Sequence, residues 1–193
     1  MHKKNEFVVC SFYKFISLNK LETLKSKLFQ FFKENNSKGT ILISREGING
    51  SVSFKKQQTE SIQKFLENTF SENFFFKIQD HNAHVFIRLK IKIKKEIIKL
   101  NNIHLTPKIK TGRMVTPKEW DNLINEKNVA IIDTRNDYES KIGTFKNATK
   151  TNTDNFKEFP DWVKKNSTNL KNKKIAMFCT GGIRCEKASA FML

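Results

Sequence analysis

Residues 174–193 restrict the fold more than any other stretch of this chain. Lys174-Ile175-Ala176-Met177-Phe178-Cys179 is a short apolar run of the kind that forms a strand buried on both faces. It passes straight into Thr180-Gly181-Gly182-Ile183-Arg184, where Arg184 marks a helix start, and the tail from Cys185 to Leu193 reads as helix. A buried strand feeding directly into a helix is half of a βαβ unit, and strands alternating with helices indicate an α/β unit with a parallel sheet. The residues before it supply the rest. Thr116-Pro117-Lys118-Glu119 predicts an N-cap with proline in the first turn, opening a helix to about Asn125. Val129-Ala130-Ile131-Ile132-Asp133 is a second buried strand, and residues 155–166 form a helix.

The first half of the chain has a different rhythm. Phe7 to Phe15 reads as a strand; residues 18–36 carry Leu18, Leu21, Leu24, Leu28 and Phe31/Phe32 at helical spacing and stop at Asn35-Asn36. Strands at 40–44 and 51–54 flank Arg45-Glu46-Gly47-Ile48-Asn49-Gly50, where Asn-Gly signals a hairpin turn. A helix over 57–70 and an alternating strand over 84–93 complete the order βαββαβ, the ferredoxin-like arrangement. The expected organisation is an α+β ferredoxin-like domain over 1–93, a basic polar linker over 94–114 and an α/β domain over 115–193.

Composition excludes several classes. Apolar residues make up 38% and aromatic residues 11%, with 18 Phe, enough to fill a core rather than remain disordered. Seven Gly and three Pro exclude a collagen-like chain, and no apolar run reaches the roughly 18 residues of a membrane span. Met1 to Phe7 has two lysines but no apolar stretch behind them, so no signal peptide is expected. Cys10, Cys179 and Cys185 form no Cys-x-x-Cys pair, and His2, His81, His84 and His104 share no segment with one; neither a disulfide framework nor a zinc site is expected. The chain reads as cytoplasmic, with reduced thiols.

The formal net charge of +17 creates a field that attracts polyanions. Lysine supplies nearly all of it, only Arg45, Arg88, Arg113, Arg135 and Arg184 being arginine, and abundant Asn, Ile and Phe accompany it, a mixture that AT-rich codons also favour. Lys90, Lys92 and Lys94 recur with period two, which puts them on one strand face, either solvated or facing nucleic-acid phosphates.

The strongest chemical signal is Cys179-Thr180-Gly181-Gly182-Ile183-Arg184. Two glycines let successive N–H groups turn inward as an anion nest, the helix adds its positive end, and Arg184 adds a permanent charge. A thiol there is expected to ionise easily and act as a nucleophile. Phosphatases share this shape, so spacing alone does not choose the reaction, although the tight six-position cradle suits a sulfur substituent better than a bulky phosphoester. Asp133, Arg135 and Glu139 stand at a strand end where ligand sites occur, or form a structural ion pair. Arg45, Glu46 and Asn49 either hold substrate or simply turn a hairpin. Cys185 either resolves an oxidised Cys179 or, as its helical position favours, lies on the helix surface.

Asp133-Thr134-Arg135-Asn136-Asp137-Tyr138-Glu139, Ile142-Gly143-Thr144-Phe145 and Ala176-Met177-Phe178-Cys179-Thr180-Gly181-Gly182-Ile183-Arg184-Cys185-Glu186-Lys187 together resemble a rhodanese domain. With Gly39 to Gly50 and Leu89 to Ile97, the chain is similar, over nearly its whole length, to the rhodanese-domain-containing tRNA uridine hydroxylases. The resemblance implies oxygen-dependent 5-hydroxylation of the wobble uridine, with molecular oxygen as co-substrate, tRNA as partner and Cys179 as a persulfide-forming active-site residue. A sulfur- or electron-donor protein is a further candidate partner. The sequence carries no flavin, haem or iron-site motif. The family continues past the active-site helix with another strand, a helix and a cysteine-containing segment, so a rhodanese-like domain incomplete at its C-terminus is expected. Two other readings stand beside this one: a sulfurtransferase carrying sulfane sulfur on Cys179, and a non-catalytic RNA- or protein-binding module.

Overall fold

A computed structural model describes residues 6–102, 105 and 107–193. The chain divides between Ile97 and Ile98 into two compact units.

The first unit is a five-stranded sheet with two helices against one face. Its elements are β1 (Phe7–Phe15), α1 (Leu21–Glu34), β2 (Lys38–Ser44), β3 (Gly47–Lys55), α2 (Thr59–Phe70), β4 (Phe76–His81) and β5 (Leu89–Ile93). Strand order is β4-β1-β3-β2-β5, antiparallel except for β2 with β5. Alternation along the strands sends Val8, Cys10 and Phe12, Ile41 and Ile43, and Ile48, Val52 and Phe54 into one core with Leu28, Phe32, Ile62 and Leu66 of the helices.

Two details of the sequence reading change here. The βαββαβ pattern is present, but its last strand is β4, not 84–93. Phe76–His81 is mostly solvent-exposed because it is an edge strand, and its apolar alternation ends after Phe76 and Ile78, too short to mark a half-buried strand. The alternating segment contributes only Leu89–Ile93, a fifth strand on the opposite edge. The hairpin turn is Arg45-Glu46 rather than Asn49-Gly50. Gly47 opens β3 at φ +149°, and a Cβ there would stand 2.1 Å from the Lys14 carbonyl oxygen. Gly47 therefore fixes the turn four residues earlier, and Asn49-Gly50 continues as strand.

Residues of the expected linker are structured at both ends. Ile97 is buried in the first unit, and its N–H donates to Glu46 Oε1 at 2.6 Å while its carbonyl accepts from Asn49 Nδ2 at 3.1 Å. Leu100 packs in the second core, and the Gly112 N–H donates to Ser189 Oγ at 2.9 Å.

The second unit contains α3 (Pro117–Leu123), β6 (Val129–Asp133), α4 (Asp137–Ser140), β7 (Thr149–Lys150), α5 (Phe159–Leu170), β8 (Lys174–Phe178) and α6 (Ile183–Met192). Thr116 and Glu119 form the capping box that opens α3, with Pro117 behind the cap. The parallel sheet runs β7-β6-β8, and Leu100, Ile132, Phe156, Phe159 and Ala188 build its core. The fully buried Lys187 on α6 donates to the Ile98 carbonyl at 2.9 Å. No described helix is long and apolar enough to cross a membrane.

Candidate active site

Asp133, the last residue of β6, lies beside Phe178, the last of β8. The loops that follow both strands therefore emerge together at the carboxyl edge of the sheet, where α/β proteins place their ligands. Cys179 is the first residue past β8, and Gly182 caps α6 three positions later. The backbone at Gly182 has φ +87°, a region L side chains rarely adopt, and its N–H donates to Cys179 Sγ at 3.1 Å. Gly181 is different: a Cβ there would meet nothing within 4 Å. Of the two glycines the sequence singles out, only Gly182 is required by the backbone.

The Cys179 thiol is half-buried and lowered to about 5. The largest influence is a hydrogen bond from the Cys185 thiol; burial acts against it, and the N–H groups of Cys185 and Gly181 and the charge of Arg184 add to the lowering. Cys185 moves the opposite way, well above its ordinary value, because its proton is held by the Cys179 sulfur and because it is buried. This corrects the expectation of a helix-surface cysteine. Position 185 falls in the first turn of α6, so its side chain reaches back toward the cap and joins the cradle. Thr134, named in the sequence only as part of the Asp133-Thr134-Arg135 run and assigned no role, sits 3.5 Å from Cys185 Sγ and donates its hydroxyl to the Phe178 carbonyl at 3.0 Å.

Arg184 makes a two-pronged pair with Glu139, Nη1 to Oε2 at 2.6 Å and Nη2 to Oε1 at 2.8 Å. Thr180 Oγ1 donates to the same carboxylate at 2.6 Å. Hydrogen bonding from Arg184 is the main reason the Glu139 carboxyl drops to about 2, with burial opposing and Thr180 assisting. Much of the Arg184 charge is thus spent on Glu139, and its effect on Cys179 is the smallest of those above. Glu139 ties α4 to both ends of the active-site loop.

Asp133 and Arg135 form a separate pair. Arg135 Nε and Nη2 donate to the fully buried Asp133 carboxylate at 2.9 and 2.7 Å, Thr144 Oγ1 donates to it at 2.9 Å, and Arg135 Nη2 also reaches the Gly143 carbonyl at 2.6 Å. Burial would raise the Asp133 pKa, but these donors outweigh it and lower it. The arrangement pins the loop after α4 to the end of β6. In the first unit, Arg45 is exposed in the hairpin turn, Glu46 and Asn49 hold Ile97, and Lys90 and Lys92 stand on the side of β5 away from the core, followed by the exposed Lys94. Among the described residues no three His, Cys, Asp or Glu side chains converge in a way that could hold a metal ion. His2 and His104, and the N-terminal segment weighed as a signal peptide up to residue 5, lie outside the described residues.

Comparison with known proteins adds the lineage. Residues 7–97 match the family described as the UPF0176 acylphosphatase like domain, and residues 116–193 match the rhodanese-like domain. The tRNA uridine(34) hydroxylase of Legionella pneumophila (strain Paris) is 42% identical over 189 residues, 97% of this chain and 74% of that protein. The chain belongs to the tRNA uridine(34) hydroxylase family. In this member of the hydroxylase family, the Cys179 cradle lies wholly within the residues that match the rhodanese-like domain. Two solved structures are more distant: "BlrB - a BLUF protein, dark state structure", with TM-score 0.41, 10% identity and coverage of 48% of this chain and 76% of that one, and "BlrP1 BLUF", with TM-score 0.39, 8% identity and coverage of 51% and 71%.

Proposed function

We propose that this protein hydroxylates the wobble uridine of tRNA at carbon 5, using molecular oxygen, in the cytoplasm. The observation that carries the proposal is the 42% identity to a tRNA uridine(34) hydroxylase across nearly the whole chain; a preformed thiolate site at Cys179 agrees with it. In this reading Cys179 is the nucleophilic centre and carries sulfane sulfur as a persulfide. The N–H groups of the loop stabilise its negative charge, and Cys185 steadies the thiolate with its proton. Glu139 is a positioning residue that holds Thr180 and Arg184, while Asp133 and Arg135 set the neighbouring loop. Lys90, Lys92 and Lys94 contribute phosphate contacts from the first unit.

Mass spectrometry of tRNA nucleosides from a deletion strain tests the activity. The expected result is loss of wobble 5-hydroxyuridine, restored by the wild-type gene and not by Cys179→Ser. Unchanged 5-hydroxyuridine in the deletion strain would overturn the proposal. The half-buried thiolate also supports a second reading, sulfur transfer to a thiol acceptor. Turnover of thiosulfate by the purified chain, with the modification unaffected in the deletion strain, would favour that one.

A further inference from the structure

Helices α1 and α2 pack on one face of the five-stranded sheet, through Val8, Cys10, Phe12 and their neighbours. The strand registers align a polar row across all five strands on the other face. Lys77 of β4 stands opposite Ser11 of β1, Ser11 opposite Ser51 of β3, Ser51 opposite Thr40 of β2, and Thr40 opposite Lys90 of β5. Three hydroxyls thus lie in line between two lysines, over four interstrand gaps or about 19 Å. The hydroxyls are half-buried, and Ser11 Oγ and Ser51 Oγ are 2.9 Å apart. Among the described residues neither Lys77 nor Lys90 has a carboxylate partner; the ion pairs of this unit engage Lys14, Lys25, Lys56 and Lys64.

The same face is walled on both sides of the row. The connection from β4 to β5 must cross the sheet, and its His84 Nδ1 lies 2.8 Å from Ser53 Oγ, with the ring against Phe7. On the other side the chain after β5 returns to Asn49 through the Ile97 carbonyl. Ser51 lies midway between Asn49 and Ser53, so the row is the floor of a trough about 13 Å across between these anchor points.

We propose that a single-stranded segment of RNA lies in this trough, across the β-strands. Lys77 and Lys90 neutralise its phosphates, and Ser11, Ser51 and Thr40 hydrogen-bond to its phosphate and ribose oxygens. Charge complementarity decides the occupant. A floor of hydroxyls between two unpaired lysines suits a polyanion rich in acceptors, whereas the centre of a protein interface is apolar and poor in Lys and Ser. The trough is too narrow for a duplex. The inference rests on tRNA being the substrate and names where its unpaired strand is held.

Fluorescence anisotropy of labelled dodecauridylate with the full chain provides the test. Lys77→Glu/Lys90→Glu is expected to weaken binding at least tenfold and to reduce the salt slope by about 1.4, as loss of two single-strand phosphate contacts requires. Lys77→Gln/Lys90→Gln should show the same direction without introducing like charge. Ser51→Val should weaken binding with the salt slope unchanged. Lys33→Glu/Lys64→Glu, an equal charge change on the exposed surfaces of α1 and α2, should cost less than threefold. Three results would each overturn the trough: no binding by the wild type, equal losses from the two charge reversals, or wild-type affinity in both Lys77/Lys90 variants. The readout is separate from modification. Loss of the trough pattern with 5-hydroxyuridine still formed removes only this inference, and the trough pattern in a chain that never restores 5-hydroxyuridine removes only the hydroxylase reading.

Discussion

At the scale of single residues, the three cysteines share one side-chain chemistry and three environments. Burial pushes the Cys10 thiol up to about 12, Cys185 is raised by the proton it shares, and Cys179 is lowered to about 5. Only Cys179 is a thiolate near neutrality. Iodoacetamide labelling with peptide mass readout should therefore show Cys179 alkylating at a near-constant rate from pH 8 down to pH 6 and halving near pH 5, with Cys10 silent. A titration midpoint for Cys179 near 8.5, the value of a free thiol, would contradict the cradle. The sign carries over to stability. A thiol that ionises more easily folded than unfolded adds stability that is complete above about pH 8.5 and is lost as pH falls through the folded value. Cys185→Ser keeps a donor beside Cys179 and should move the midpoint less than Cys185→Ala.

At the scale of elements, the turn from β8 into α6 makes the two glycines unequal. Gly181→Ala should be tolerated, because its Cβ enters open space. Gly182→Ala has to hold φ +87° with a side chain, at a cost of about 1–2 kcal/mol, or release the N–H that meets Cys179 Sγ. The expected outcome is a raised Cys179 labelling midpoint in Gly182→Ala and an unchanged one in Gly181→Ala; equal midpoints would refute the assignment. The strand-turn-helix order around Cys179 was legible because composition and local order specify it. What was not legible depended on partners distant in sequence. Phe76–His81 becomes a strand because β1 offers it an edge, not because its own pattern is apolar. The hairpin closes at Arg45-Glu46 because Gly47 lies against Lys14 some thirty residues earlier. Glu139 could be named as a supporting acid from the sequence, yet its grip on Thr180 and Arg184 needs α4, a single turn too short to show a helical period.

At the scale of the whole molecule, each unit has its own core, and the first core contains a built-in reporter. Cys10 sits among Val8, Phe54 and Leu66, so it meets reagent only when the first unit opens. Phe54→Ala should destabilise that unit by about 3–5 kcal/mol, bringing Cys10 labelling to a urea concentration at least about 1 M lower; an unshifted Cys10 profile would show that Phe54 does not hold this core together. The crossing connection that walls the trough also sets a clock on synthesis. β1, β2 and β3 can pair as soon as Lys55 has emerged from the ribosome, but β4 and β5, which cover the two outer strands of that trio, come later in the chain. At about 5–20 residues per second, the interval from Lys55 to Ile93 lasts about 2–8 s. For those seconds the nascent sheet shows two open edges of the sort that recruit other strands. The last strands of this unit to be made are thus the ones that protect its first, and a chaperone acting on this protein has its window there.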